Sequence, residues 1–363
     1  MNRYVVVTTY PAQGSRNIGD YLITQSLISM IEATVGEEAH VDVIWRAAPW
    51  EEISEVILSA DHVFFACLAI RPEMESGVYP FARKVIESSV RYSIHAAGTD
   101  LRVKDNMDLL ETMDEASVIF LRELALGSRI FTTRGVLTQA FCRLSGITAA
   151  RFSGDIAFYA PEMYGIGFRA PTAIRNIVVS DPHRATKYID SFVCLIAGLR
   201  SLFPQASIKV ALHGQNQEIE AACTGLDLDT TSIYENPGGG LSIYDSCDLH
   251  VGYRVHGHVS ALKRRKVSYL LEQDGRGADY GLTLSRKISV PNYLQFVRDD
   301  GEKRRWTTRA SVSPPQQLLS MIEQDSINNF ERFEGFDQEL ETISRRALEA
   351  VSAAIYIDPT LQQ

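Results

Sequence analysis

The sequence predicts an α/β protein built from two doubly wound parallel sheets in tandem, facing a cleft, with a helical tail. Three observations carry that expectation. Short β-rich apolar runs alternate with segments of helical period. The runs are nearly continuous in apolar residues, as strands covered on both faces are. The alternation breaks at Pro161–Ala173, where Gly165, Gly167 and Pro171 cluster, and then restarts.

In the first half, Val5–Val7, Val41–Trp45, Val63–Cys67, Tyr92–Ala96 and Val118–Leu121 are candidate strands. Tyr21–Val35, Trp50–Ser59, Tyr79–Ser88 and Asn106–Ala116 are candidate helices, with apolar residues at three- and four-residue steps. In the second half the order is strand Asn176–Ser180, helix Ala185–Phe203, strand Ile208–Leu212 and helix Gln215–Gly225. Strands Thr231–Tyr234, Leu249–Gly252 and Val267–Leu271 follow. From Pro314 onward the chain is acidic and helical. The domains are expected at 1–165 and 172–312, with the tail, 313–363, packing back across their junction.

The chain has 363 residues, 36 Lys and Arg against 45 Asp and Glu, and a net charge of −9. An acidic chain lacks the basic field of a general nucleic-acid binder. Hydrophobic residues at 45% and charged residues at 22% exclude disorder for the bulk of the chain. The five cysteines are scattered without C-x-x-C spacing, which argues against a zinc ribbon or redox dithiol and suits a reducing compartment. The first ten residues are too short an apolar stretch for a signal sequence, and no run reaches the ~20 apolar residues of a membrane span. A soluble cytoplasmic protein is expected.

Ligands of open α/β sheets bind beyond the carboxyl ends of the strands, so residues just after strands are the informative ones. Asn17-Ile18-Gly19-Asp20 follows the first strand and opens a helix, preceded by Gly14-Ser15-Arg16. Free N–H groups there suit an anion, and Asp20 equally suits a helix cap. Asp248–Gly252 runs into Arg254, His256, Gly257 and His258, with a helix expected from Val259. Arg254 offers a planar fork for phosphate or carboxylate, and His256 suits proton transfer. Three titratable groups clustered after an apolar strand outweigh a simple capping turn. Ser180–Arg184 supplies another cation at a strand end, either as an anion contact or as a plain turn. Thr132–Gly135 and Phe152–Asp155 are glycine-containing loops of either structural or binding character.

No P-loop or G-x-S-x-G motif is present. Pro237–Gly240 reads as a mobile loop. His250, His256 and His258 crowd around Arg254, which opposes a metal site, and none is expected. The basic runs Lys263–Lys266 and Lys303–Arg305 read as solvated faces or an electrostatic lure for an anionic substrate.

Taken in order, these pieces resemble the polysaccharide pyruvyl transferase family. The resemblance rests on the N-x-G-D element Asn17–Asp20 and the helix led by Arg134. It also rests on Gly154-Asp155-Ile156-Ala157 and on the R-x-H-G turn Arg254-Val255-His256-Gly257. The chain departs from the family pattern at three places. Phe65–Ala69 replaces a Gly-Gly-Gly loop, Gly135 replaces an Asp, and a late Lys is missing, with Arg276 near its place.

The resemblance implies a GT-B-like fold of two Rossmann-like domains. It implies transfer of a pyruvyl group from phosphoenolpyruvate to a saccharide or lipid-linked saccharide, forming a ketal, in exopolysaccharide or cell-surface glycan biosynthesis. Phosphoenolpyruvate would be a co-substrate, with no cofactor, and a lipid-linked acceptor is compatible with peripheral membrane association. On this reading the N-terminal domain takes the acceptor and the C-terminal domain the donor. His256 is the acid, and Asp20 orients or deprotonates an acceptor hydroxyl. Arg254, with Arg184, Gly257 and His258, holds the donor. Asn17, Gly19, Arg134 and Asp155 are further cleft candidates. Two other classes suit the same residues: a nucleotide-sugar glycosyltransferase with Arg254 on the diphosphate, and a non-catalytic saccharide- or phosphate-binding protein.

Overall fold

Tyr4–Thr8 has no polar alternation, and in the computed structural model every one of these residues is buried within strand β1 (Arg3–Thr8). The structure describes residues 2–11, 16–36, 39–99, 113–294, 296–298, 304–306 and 309–356. The first sheet comprises β1, β2 (His40–Trp45), β3 (His62–Ala66), β4 (Ala69–Ile70), β5 (Tyr92–Thr99), β6 (Phe131–Thr133) and β7 (Arg151–Phe152). Its order is β2-β1-β3-β5-β6-β7, with β4 paired to β5, and every pairing is parallel. Around it lie α1 (Ile18–Val35), α2 (Trp50–Leu58), α3 (Ala82–Glu87), α4 (Glu115–Gly127) and α5 (Val136–Leu144).

The second sheet has the order β10-β9-β8-β11-β12-β13, again parallel throughout. Its strands are β8 (Asn176–Ser180), β9 (Ser207–Ala211), β10 (Asp229–Thr231), β11 (Leu249–Gly252), β12 (Val267–Glu272) and β13 (Ser289–Pro291). Its helices are α6 (Ala185–Leu202), α7 (Gln217–Gly225), α8 (Val255–Lys263) and α9 (Gly275–Thr283). A short antiparallel hairpin, β14 (Phe296–Arg298) and β15 (Arg304–Trp306), precedes α10 (Ser313–Ile327) and α11 (Phe336–Tyr356). The expected fold class, two parallel α/β sheets with helices, is borne out. No helix among the described residues is long and apolar enough to cross a membrane.

Three expectations fail locally. The strand expected at Thr231–Tyr234 ends at Thr231, because β10 spans Asp229–Thr231 and Ile233–Glu235 turns as a 3-10 helix. Val118–Leu121 is not a strand but the middle of α4. Its β-branched and aromatic run looks extended on its own. Over thirteen residues, however, the buried positions Ser117, Phe120, Leu121, Leu124 and Ala125 follow the helical step, and Asp114 caps the Ser117 N–H at 2.8 Å. The helix after β11 begins at Val255 rather than Val259, which puts Arg254 at its N-cap and His256 in its first turn. Gly14, Ser15, Lys303, residues 106–112 of the expected helix Asn106–Ala116, and 357–363 of the tail lie outside the described residues.

One apolar core runs through both sheets and includes the tail. Leu27, Met30 and Ile31 of α1 share it with Ile343, Ala347 and Val351 of α11, while Leu318 and Ile322 of α10 join it beside α6. A polar tie also links elements of the two sheets. The N-cap of α5 is Gly135, which has no side chain to offer. Asp279 of α9 takes that place, accepting from Leu137 N at 2.8 Å, Thr138 N at 3.3 Å and the Thr138 hydroxyl. A Cβ at Gly135 would fall 2.1 Å from Asp279 Oδ1, so the missing side chain makes room for the borrowed one. Asp279→Ala is expected to cost about 2 kcal/mol by uncapping α5 and orphaning buried donors. Urea unfolding measures this, and an unchanged midpoint would mean that α5 does not depend on this carboxylate.

Candidate active site

Both sheets reverse their winding direction once, between β1 and β3 in the first and between β8 and β11 in the second. Ligands bind at such points. The loops leaving these strands meet across a cavity of about 310 Å³. Asn17, Asp20, Arg134, Arg184, Arg254 and His256, all expected from the sequence, line it. So do Arg46, Cys67, Arg71, His213, Gln273, Asp274 and Arg276.

The first wall starts at α1. The Asn17 side chain caps the helix, accepting from Gly19 N at 3.1 Å, so this element serves as a cap and lines the cavity as well. Gly19 sits behind the wall, where a Cβ would come within 2.5 Å of His256 Nδ1; its absence lets α1 approach the imidazole. Loss of water raises the Asp20 carboxyl above its ordinary range, while the charges of His256, Arg46 and Arg276 hold it back. A carboxylate raised in this way is a better proton acceptor. Cys67, at the end of β3, has φ +46°, a left-handed conformation rare outside glycine. Burial pushes its thiol well up, so it stays protonated.

Arg134 follows β6 directly and is 6% exposed. Its guanidinium lies over Gly98, where a Cβ would fall 2.3 Å from Cζ. Among the described residues, its Nε and Nη2, two nitrogens that together can hold a carboxylate, have no hydrogen-bond partner.

On the second wall the geometry of Arg254 differs from the expectation. Its Nε and Nη2 are committed to Asp181, at 2.9 and 2.6 Å, and Nη1 faces His183 Nδ1 at 3.3 Å. Asp181 is fully buried, so the pair is a fixed part of the wall and the Nε–Nη2 fork of Arg254 is already occupied. Arg184 is exposed at the N-cap of α6. Two expected donor contacts are corrected. Gly257 does not line the cavity; it is a packing glycine, where a Cβ would meet the Tyr244 hydroxyl at 2.9 Å and His213 Nε2 at 3.0 Å. His258 is on the buried face of α8, fully enclosed, with Nδ1 2.6 Å from Ser268 Oγ.

His256 connects the two walls. Its Nε2 is 3.4 Å from Asp155 Oδ2, a charge contact rather than an aligned hydrogen bond. Asp155 sits behind the cavity and also accepts from Ala157 N at 2.8 Å and from the Tyr280 hydroxyl. Burial pushes the Asp155 carboxyl up, but His256, Arg134 and Tyr280 outweigh it and hold it at about 2. It therefore remains a carboxylate that can pair with an imidazolium.

The sequence reading missed Arg46, Arg71, Asp181, His213, Gln273 and Asp274. A positional signal was available: Arg46, Arg71, Asp181 and Gln273 each immediately follow a strand, namely β2, β4, β8 and β12. His213 comes two residues after β9.

The fold has a counterpart among solved structures. A Listeria monocytogenes protein provisionally assigned as a UDP-N-acetylglucosamine 2-epimerase superposes over 98% of this chain and 97% of its own, with a TM-score of 0.56 and 9% identity. A Staphylococcus aureus MnaA–UDP structure covers 93% and 94%, with a TM-score of 0.48 and 9% identity. The architecture is GT-B-like. Residues 110–272 match the polysaccharide pyruvyl transferase family, which bears out the resemblance over the stretch holding Arg134, Asp155, Arg184, Arg254 and His256. No curated protein matches the sequence.

Proposed function

We propose that this protein transfers the pyruvyl group of phosphoenolpyruvate to two hydroxyls of a saccharide or lipid-linked saccharide, forming a ketal in surface-glycan synthesis. The observation that carries the reading is the charge of the cavity around His256. Arg46, Arg71, Arg134, Arg184, Arg254 and Arg276 gather there against Asp20, Asp274, the Asp181 that pairs with Arg254 and the Asp155 beside His256. The excess of about two positive charges suits a small ligand carrying a phosphate and a carboxylate.

The buried Nε and Nη2 of Arg134, without a partner among the described residues, match the carboxylate in two places, and the second wall, with Arg184 and Arg254, takes the phosphate. His256 protonates the donor's methylene carbon, leaving a cationic carbon that the first acceptor hydroxyl attacks as Asp20 takes its proton. The second hydroxyl adds as the carbon–oxygen bond to phosphate breaks. Of the two acceptor protons, one is balanced by the new methyl group and the other leaves as hydrogen phosphate. The reaction asks for no cofactor, and an acceptor and donor of this kind are met in the cytoplasm.

Calorimetry with phosphoenolpyruvate beside UDP-N-acetylglucosamine tests the donor. Binding of phosphoenolpyruvate, weakened about 100-fold in Arg134→Ala, is expected from the loss of a two-point charged contact. Binding of the nucleotide sugar alone would move the protein to the glycosyltransferases.

A further inference from the structure

Among the described residues, eleven buried side-chain polar atoms lack a hydrogen-bond partner, and five of them sit on four residues lining the cavity. Two of these residues, His213 and Gln273, belong to the second wall and have no part in the chemistry above. We propose that His213 is a neutral hydrogen-bond donor, through Nδ1–H, to the phosphate of the bound donor. The assignment rests on the phosphoenolpyruvate reading only for the identity of the molecule that carries the phosphate.

The backbone of His213 is clamped on both sides. Its N–H donates to Asp181 Oδ1 at 3.0 Å, the carboxylate that also holds Arg254, and its carbonyl accepts from Ile18 N at 3.1 Å in the first turn of α1. The ring is fixed by the Tyr244 hydroxyl, 2.6 Å from Nε2. That distance leaves the tautomer open, but the surroundings decide it. Tyr244 is fully buried, and burial keeps its phenol protonated. Among the described residues its hydroxyl has no hydrogen-bond partner other than His213. If Nε2 carried the ring proton, the phenolic proton would be stranded in the core. Tyr244 therefore donates to Nε2, and the ring proton sits on Nδ1.

Burial, together with the charges of Arg254 and His256, keeps the imidazole neutral well below its ordinary range. A neutral Nδ1–H on a residue of the cavity wall, with no acceptor among the described residues, is completed by an acceptor oxygen on the ligand. Gln273 repeats the arrangement. Its Oε1 accepts from His183 N at 3.0 Å, and its buried amide N–H₂ has no partner among the described residues. His213 shares Asp181 with Arg254, and Gln273 is bonded to His183, the residue before Arg184, so the group they serve is the one those cations hold, the phosphate.

The experiment is calorimetry of the full chain with phosphoenolpyruvate, UDP and inorganic phosphate, alongside nitrogen-15 NMR of the histidine rings at pH 7. His213→Leu is expected to weaken binding of phosphate-bearing ligands about 5–30-fold, the loss of one neutral hydrogen bond to an anion. His213→Asn, whose amide N–H₂ falls near the Nδ1 position, should recover wild-type affinity to within about threefold. NMR should find the His213 proton on Nδ1. Wild-type affinity in His213→Leu, or the proton on Nε2, overturns the proposal. If UDP binds and phosphoenolpyruvate does not, the donor reading falls while His213 is judged on UDP. If the wild type binds none of the three, both fall. The tautomer is read on the unaltered protein, so it decides even if His213→Leu fails to fold.

Discussion

Replacing His256 with Gln is expected to slow acceptor-dependent phosphate release from phosphoenolpyruvate by about 10²–10⁴-fold, the range for loss of a general acid. Donor affinity should stay within a few-fold of wild type, because the cations that hold the ligand are elsewhere in the cavity. Asp155→Asn should give the same split in milder form, since it leaves the acid but removes the anion 3.4 Å from its ring. Release assays and calorimetry measure the two quantities separately. Equal turnover in wild type and His256→Gln would remove this residue from the chemistry. Loss of binding with turnover at saturation preserved would make it a ligand contact.

Acidification is the second large effect. His62, His95 and His258 are buried, and burial holds each at about 3, with neighbouring charges adding to the shift at His62. Burial likewise holds His213 and His250 well below the ordinary range. In the unfolded chain an imidazole titrates near ~6.5. Between those values the unfolded state binds more protons, so stability must fall as the pH drops below about 6.5, at up to about 1.4 kcal/mol per pH unit for each buried imidazole. Three such groups alone would use up the ordinary stability of a domain within about two to three pH units. The raised carboxyls of Asp20 and Asp279 act in the opposite sense but are fewer. Asp155, held low, adds its own loss only as the pH falls from about 4 toward 2. Urea midpoints measured from pH 7 to 4 should decline steeply, and the slope should ease by one group in His62→Leu. A flat profile from pH 7 to 5 would mean that these histidines are not buried and neutral.

Much of the fold was legible because parallel strands covered on both faces are written as apolar runs, and β1, β8, β11 and β12 read clearly. Val118–Leu121 misled because four residues are too few to separate a β-rich run from one side of a helix. Strands β4, β6 and β7 were missed because two or three residues leave no pattern. The Arg254–His256 turn was legible as a polar cluster after an apolar strand. Arg46, Arg71 and Gln273 stand singly, each after a different strand, and only the convergence of strand ends makes them neighbours. Arg254 marks a subtler limit. The sequence identifies the guanidinium but not the buried Asp181, seventy-three positions away, that occupies its fork.

The borrowed cap on α5 and the docking of α11 on α1 also bear on the order in which the chain can be made. The first sheet leaves the ribosome early, yet α5 waits for residue 279, and the apolar face of α1 waits for residues 343–351. At ordinary elongation rates the interval between α1 and its last partner is roughly 15–60 s. Through that time the N-terminal half carries an uncapped helix and an uncovered apolar stripe. The native arrangement of the first sheet is therefore completed only by a helix made after the whole of the second sheet.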